Sequence, residues 1–305
     1  MGGKALNSIG IRARRIESRE EFDLLSREAC EYLQQFYRLV RVCPEVSWKT
    51  SFGDIDVLVA DIEKPFTPEH SVKNGYILSF EFKGVQVDVI SVPVSALDLA
   101  YTLSFGDLNA IISYIFKRLN IVVTFRGAHL RVQHSQVLLT YDADAIFRFI
   151  GICDMDALLN VTCHQELFEQ VITPTVMRIL ALPYNYVHKR PRRPDRLMFT
   201  EFKAFTKTFV NVSTESGIVD EEFSVKKIVD YFGADANYQI ALKKYAFDEA
   251  FRQKFNGTLV ARLTGLQGVQ LGDFIKAFLS NNTREEIVEM TDELLVGAIS
   301  KCVTG

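Results

Sequence analysis

The hydrophobic pattern of this chain changes period near residue 140. Before it, short apolar stretches alternate with period two, as strands do; after it, apolar positions recur every three or four residues, as on helices. Within the first part the spacing predicts an amphipathic helix over Ser18 to Val42, opened by a Ser18/Glu21 capping box and carrying Phe22, Leu25, Ala29, Leu33, Phe36 and Leu39 on one face. Ser51 to Val59 alternates as a strand. Tyr76 to Phe82 and Gly84 to Val92 form a predicted hairpin turning at Lys83-Gly84, with Pro93 closing it. Val94 to Asn120 reads as mostly helical, Ile121 to Phe125 as a strand, and Leu130 to Thr140 as the last strand of the domain. Beyond Tyr141 the signals are helical: an acidic first turn and a glycine stop over Asp142 to Gly151, a break at Pro174 within Gln165 to Leu182, and amphipathic material over 197 to 254. The expectation is an α+β protein. A mixed sheet with flanking helices occupies residues 1–140, and a mostly helical domain occupies residues 141–305.

Two carboxylates interrupt the first apolar strand. In a strand, residues two apart share a face, so Asp54 and Asp56 project together while Ile55, Val57 and Val59 point to a core. Adjacent carboxylates repel unless a cation sits between them, and hard oxygen donors suit Mg²⁺ better than Zn²⁺. A third acid is then expected nearby, and Asp88, the single acid in the second strand of the hairpin, is the candidate. A solvated strand edge beside a surface hairpin is the alternative.

Gly53-Asp54-Ile55-Asp56 followed by an apolar run, with Asp88 flanked by valines on a later strand, resembles the nucleotidyltransferase superfamily that includes DNA polymerase beta, poly(A) polymerases and CCA-adding enzymes. The resemblance implies two Mg²⁺ ions, with Mn²⁺ as a substitute. Asp54 and Asp56 would bind both ions, and Asp88 would bind one while drawing the proton from an attacking hydroxyl. It also implies a glycine pair that grips the triphosphate. Gly2-Gly3-Lys4 offers one, but much further before the first acid than the superfamily places it. Either an inserted helix still lets Gly2 and Gly3 reach the site, or Ser51 and Gly53 take part of the role. The opening Met-Gly-Gly-Lys-Ala with Arg12, Arg14 and Arg15 behind it is similar to nucleotidyltransferases encoded by bacteriophages, which favours the first. By the same resemblance Gly106 and Asn109 would contact the nucleotide.

Composition narrows the partners. The chain has 305 residues and a formal net charge of −3, so any nucleic-acid contact must come from a local patch. Such a patch runs from Tyr184 to Arg196: Lys189, Arg190, Arg192, Arg193 and Arg196 stand against Asp195, and Pro191 and Pro194 forbid a continuous helix. An acceptor strand, tRNA or another single strand, is the expected partner. The glycines at 265, 268 and 272 precede an apolar helix in a pattern similar to CCA-adding enzymes; they would either expose amides to a phosphate or let two helices cross closely. No apolar run approaches the about 20 residues a membrane span needs. With no apolar signal core behind Met1, a cytoplasmic protein is expected. Five cysteines, odd in number and widely spaced, support neither a disulfide framework nor a zinc site. The leading expectation is transfer of a nucleoside monophosphate from an NTP or dNTP to an acceptor hydroxyl. A family X-type DNA polymerase, an enzyme nucleotidylating protein or a small molecule, and a non-catalytic nucleic-acid binding protein are the alternatives.

Overall fold

The computed structural model describes residues 4–133, 135–182, 196–208 and 221–304. Ser18 accepts a hydrogen bond from the Glu21 amide and starts helix α1 (Arg19–Leu33), whose buried positions Phe22, Leu25, Ala29 and Leu33 are those the spacing predicts. The helix does not continue to Val42. Tyr37–Val42 is strand β1, because this run also alternates, and its β-branched and aromatic residues fit a pleated surface. Val40 and Val42 pack on the α1 side of the sheet, while Cys43, next in line, faces the other.

Strand β1 pairs antiparallel with β2 (Ile55–Ile62), and the bend before β2 holds Ser51 to Asp54. Strands β3 (Ser71–Asn74), β4 (Ile77–Phe82) and β5 (Val85–Ser91) complete a five-stranded mixed sheet in the order β1-β2-β5-β4-β3, in which β2 and β5 run parallel and the other pairs antiparallel. The two-residue turn at Lys83-Gly84 is as expected, with φ of 50° and 83°, the signs a type I′ turn requires. One face of the sheet packs Ile55, Val57, Val59, Val85, Val87 and Val89 against α1. The other packs Leu58, Ile90 and Val92 against α2 (Leu97–Ser104) through Ala100.

Helix α3 (Leu108–Phe116) follows α2, and then β6 (Ile121–Thr124), β7 (Gly127–Val132) and β8 (Ser135–Thr140) form a second, three-stranded sheet. The stretch read as one strand from Leu130 to Thr140 is therefore two, because Gln133, at φ 53°, turns the chain. The helices that follow among the described residues are α4 (Ala143–Phe149), α5 (Met155–Leu159), α6 (His164–Val171), α7 (Pro174–Ala181), α8 (Leu197–Lys207) and α9 (Val225–Tyr231). Pro174 opens α7 at its first turn, where its missing N–H costs nothing.

The chain divides into two compact units, 1–131 with 138–234, and 132–137 with 235–305. This division differs from the expected boundary at residue 140. Helices α2 and α3 are apolar on more than their sheet side, and α4, α7 and α8 pack on that surface. The second unit holds α10 (Asp235–Lys254), α11 (Gly257–Thr264), α12 (Gly268–Asn281), α13 (Arg284–Glu289) and α14 (Asp292–Thr304) around Phe255, Val260, Phe278, Ile287, Leu295 and Ile299. Gly265 and Gly268, at φ 70° and 56°, turn the chain between α11 and α12. A Cβ at Gly265, Gly268 or Gly272 would meet nothing within 4 Å, so none of them marks a close helix crossing; Gly265 and Gly268 serve the turn, and Gly272 lies within α12. Among the described residues no single helix is long and apolar enough to cross a membrane.

Candidate metal centre

Phe52 fixes the approach to the acids. It is fully buried, stacks on Phe22 at 4.1 Å between ring centroids, and exchanges both backbone hydrogen bonds with Ile16. The Arg19 guanidinium lies 4.8 Å from its ring centre and Lys49 Nζ lies 4.9 Å from it. Two residues later the chain leaves the bend at Asp54 and enters β2, where buried Ile55 and Val57 hold Asp56 on the opposite face. Asp56 and Asp88 are register partners on the parallel strands β2 and β5, and Ser79 on β4 is the partner of Asp88 on its other side. One carboxylate oxygen from each of Asp54, Asp56 and Asp88 lies within 4.8 Å of the other two.

The electrostatics follow from this crowding. Burial, then the charges of Asp54, Asp88 and Glu45, push the Asp56 carboxyl up to about 8 against an ordinary 3.8. Lys49 acts in the opposite sense, but its Nζ is already paired with Glu45 at 2.6 Å. Asp88 is also raised, by burial and by Asp54, against the lowering effect of hydrogen bonds from Ser79 and Gln86. Next to them Cys43 is buried, its backbone N–H bonded to the Asp56 carbonyl at 2.9 Å; burial and the Asp56 charge lift its thiol far above the usual range. Three half-buried carboxylates with hard oxygen donors and excess negative charge fit a divalent cation of the Mg²⁺ class.

Gln86 links this cluster to the beginning of the chain. Only 1% exposed, it donates from Nε2 to Asp88 Oδ1 at 2.8 Å. Its Oε1 accepts from the Ala5 amide at 3.0 Å and from the Leu6 amide at 3.4 Å. Ala5–Ile9 is a short 3-10 turn lying against β3 and β4. Gly2 and Gly3 lie outside the described residues; Lys4 is exposed and immediately precedes the anchored Ala5. Further along, Arg14 N–H bonds to the Gly84 carbonyl and Arg15 donates to Ser51 Oγ at 2.9 Å, so the basic stretch follows the sheet to the bend before Asp54.

The other expected site residues have separate engagements. Gly106, at φ 52°, sits under α8: a Cβ there would lie 2.7 Å from Met198 Cε and 3.1 Å from Val46 Cγ1. Asn109 Oδ1 accepts from Ser113 within α3. Both sets of partners are packing elements and not the carboxylates. Lys189, Arg190, Arg192 and Arg193 lie outside the described residues, while Arg196 forms an ion pair with Asp107 at 2.8 Å. Sequence reasoning missed Ser79, Gln86, Glu45 and Lys49. The first two had a signal: a two-residue turn at Lys83-Gly84 places Ser79 opposite Asp88, and Gln86 is the one polar residue sharing the Asp88 face of β5 near its start. Glu45 and Lys49, in the segment between β1 and β2, had none. No protein-family model matches this chain, and no curated protein matches it either.

Proposed function

We propose that this protein is a metal-dependent nucleotidyltransferase whose catalytic domain is built on the five-stranded sheet. The reading rests on the meeting of Asp54, Asp56 and Asp88 at the end of the parallel pair β2–β5. Asp54, Asp56 and Asp88 would hold Mg²⁺ or Mn²⁺, which when bound neutralises charge on the phosphoryl group and on the leaving oxygens. The acceptor hydroxyl oxygen forms a bond to the α-phosphorus of a nucleoside triphosphate, the bond from that phosphorus to the bridging oxygen breaks, and pyrophosphate leaves. Asp88, whose carboxylate is oriented by hydrogen bonds from Gln86 and Ser79, takes the hydroxyl proton. The anchoring of Ala5 at Gln86 leaves Lys4, directly before it, to meet the triphosphate, the role the glycine pair has in the superfamily. The basic run from Lys189 to Arg196 favours a nucleic-acid acceptor such as a tRNA 3′ end, in the cytosol.

The test is incubation with Mg²⁺, each labelled triphosphate in turn, and a panel of tRNA, single-stranded DNA and protein acceptors. Label should pass to one acceptor class with release of pyrophosphate. Asp88→Asn, nearly isosteric, should fold normally and lose transfer. An Asp88→Asn protein with wild-type turnover, or no transfer to any acceptor by the wild type, would remove the assignment.

A further inference from the structure

We infer that Gln86 is a positioning residue that couples the start of the chain to Asp88, so that the order of residues 5 to 9 and the orientation of the Asp88 carboxylate are one property. For its functional meaning this rests on the nucleotidyltransferase reading. The coupling itself rests on hydrogen-bond chemistry. A carboxamide has an acceptor end and a donor end fixed in one plane. Gln86 places its acceptor against two backbone N–H donors, Ala5 and Leu6, and its donor against the acceptor-only carboxylate of Asp88. Reversing the amide would set its NH₂ against two N–H groups and its oxygen against a carboxylate, which is repulsive at both ends, so one orientation survives. The side chain is buried, and a rotation that satisfies neither end leaves polar atoms unbonded away from water. Anything that turns Asp88 therefore acts on the amides of Ala5 and Leu6, and anything that detaches the first turn loosens the Gln86 hold on Asp88, leaving that of Ser79. In the proposed enzyme, Gln86 makes the first turn of the chain, Ala5 to Ile9, and the proton-accepting carboxylate assemble together.

The coupling is measurable without a metal. Amide hydrogen exchange would be followed in the peptide covering Ala5 to Ile9 of the full chain, for the wild type, Asp88→Ala, Gln86→Met and the double variant. Gln86→Met alone should speed exchange roughly three- to tenfold, the range expected for one net hydrogen bond. Asp88→Ala should speed it about threefold where Gln86 is present and leave it unchanged in the Gln86→Met background, a non-additive cycle. Gln86→Glu is the second variant, since it keeps an acceptor for the two amides but sets an oxygen against the Asp88 carboxylate; its exchange should be faster than wild type, and Asp88→Ala should slow it by removing the repulsion, the opposite sign to the effect with Gln86. Equal acceleration by Asp88→Ala in the wild-type and Gln86→Met backgrounds would overturn the coupling. Mn²⁺ titration of the same wild-type samples separates the two readings: coupling without Mn²⁺ binding sustains the role of Gln86 and removes the nucleotidyltransferase, whereas Mn²⁺ binding with an additive cycle does the reverse.

Discussion

A carboxyl group held near a pKa of about 8 keeps its proton at neutral pH, and Asp56 is such a group. In the unfolded chain it would ionise at its ordinary 3.8, so between about pH 4 and pH 8 the folded, metal-free protein binds a proton that the unfolded chain does not. Folding stability should therefore fall as pH rises through that window, by up to about 1.4 kcal/mol per pH unit, and Asp88, raised in the same sense, adds to the slope. Thermal melts of the metal-free protein from pH 5 to 8 check this, and Asp56→Asn should flatten the trend. The same proton must leave when a cation enters. Mn²⁺ affinity should then rise up to about tenfold per pH unit until about pH 8 and level off above it. A titration giving equal affinity at pH 6 and pH 8 would show that Asp56 is already ionised in the free protein.

Register between β4 and β5 sets Ser79 beside Asp88, and it is pinned by the turn at Lys83-Gly84. A Cβ at Gly84 would only reach Arg14 Nε at 3.7 Å, so the cost of Gly84→Ala is conformational, at φ 83°. It should destabilise the protein by about 1–2 kcal/mol in denaturant unfolding, with an unchanged slope. This turn also shows what was legible in the sequence. The alternating apolar residues around Asp54, Asp56 and Asp88, and the Lys-Gly pair, are local signals, and they brought out β2, β4, β5 and the convergence of three acids. The strand β1 was not legible, because Phe36 and Leu39 continue the spacing of α1 while Tyr37 to Val42 also alternates; pairing with β2 decided between them. The hairpin β7–β8 was hidden because a glutamine at 133 makes the turn, where glycine or asparagine would have marked it. The bond from Ala5 to Gln86 joins residues 81 apart, and no local pattern encodes it.

All three acids, Gln86 and the first turn belong to the unit formed by 1–131 and 138–234. A chain ending at Ala234 should keep Mn²⁺ affinity within about threefold of the full protein, since none of these residues belongs to the second unit; a loss above about tenfold would show that the helices beyond it support the acids. In the proposed enzyme the acceptor is bound by the basic run from Lys189 to Arg196. If four phosphates of a single strand are neutralised by the basic run, log affinity should fall with log salt at a slope of about −3, and replacing Arg190, Arg192 and Arg193 with alanine should flatten it by about 2 while leaving triphosphate affinity unchanged. Parallel slopes would make the run a solvated surface. The distribution of thiols adds a reporter that needs no labelling site to be engineered. Cys153, Cys163 and Cys302 are exposed and should react with an alkylating reagent at once, whereas Cys43 lies buried against Asp56 with its thiol held protonated. Its alkylation can proceed only as fast as α2 lifts from the sheet face that Cys43 packs on, so in a Cys30→Ser protein, which removes the half-buried fifth thiol, the slow phase of a mass-resolved labelling course is a clock for opening of the core beside the acids, and Mn²⁺ should slow that clock while leaving the three fast thiols unchanged.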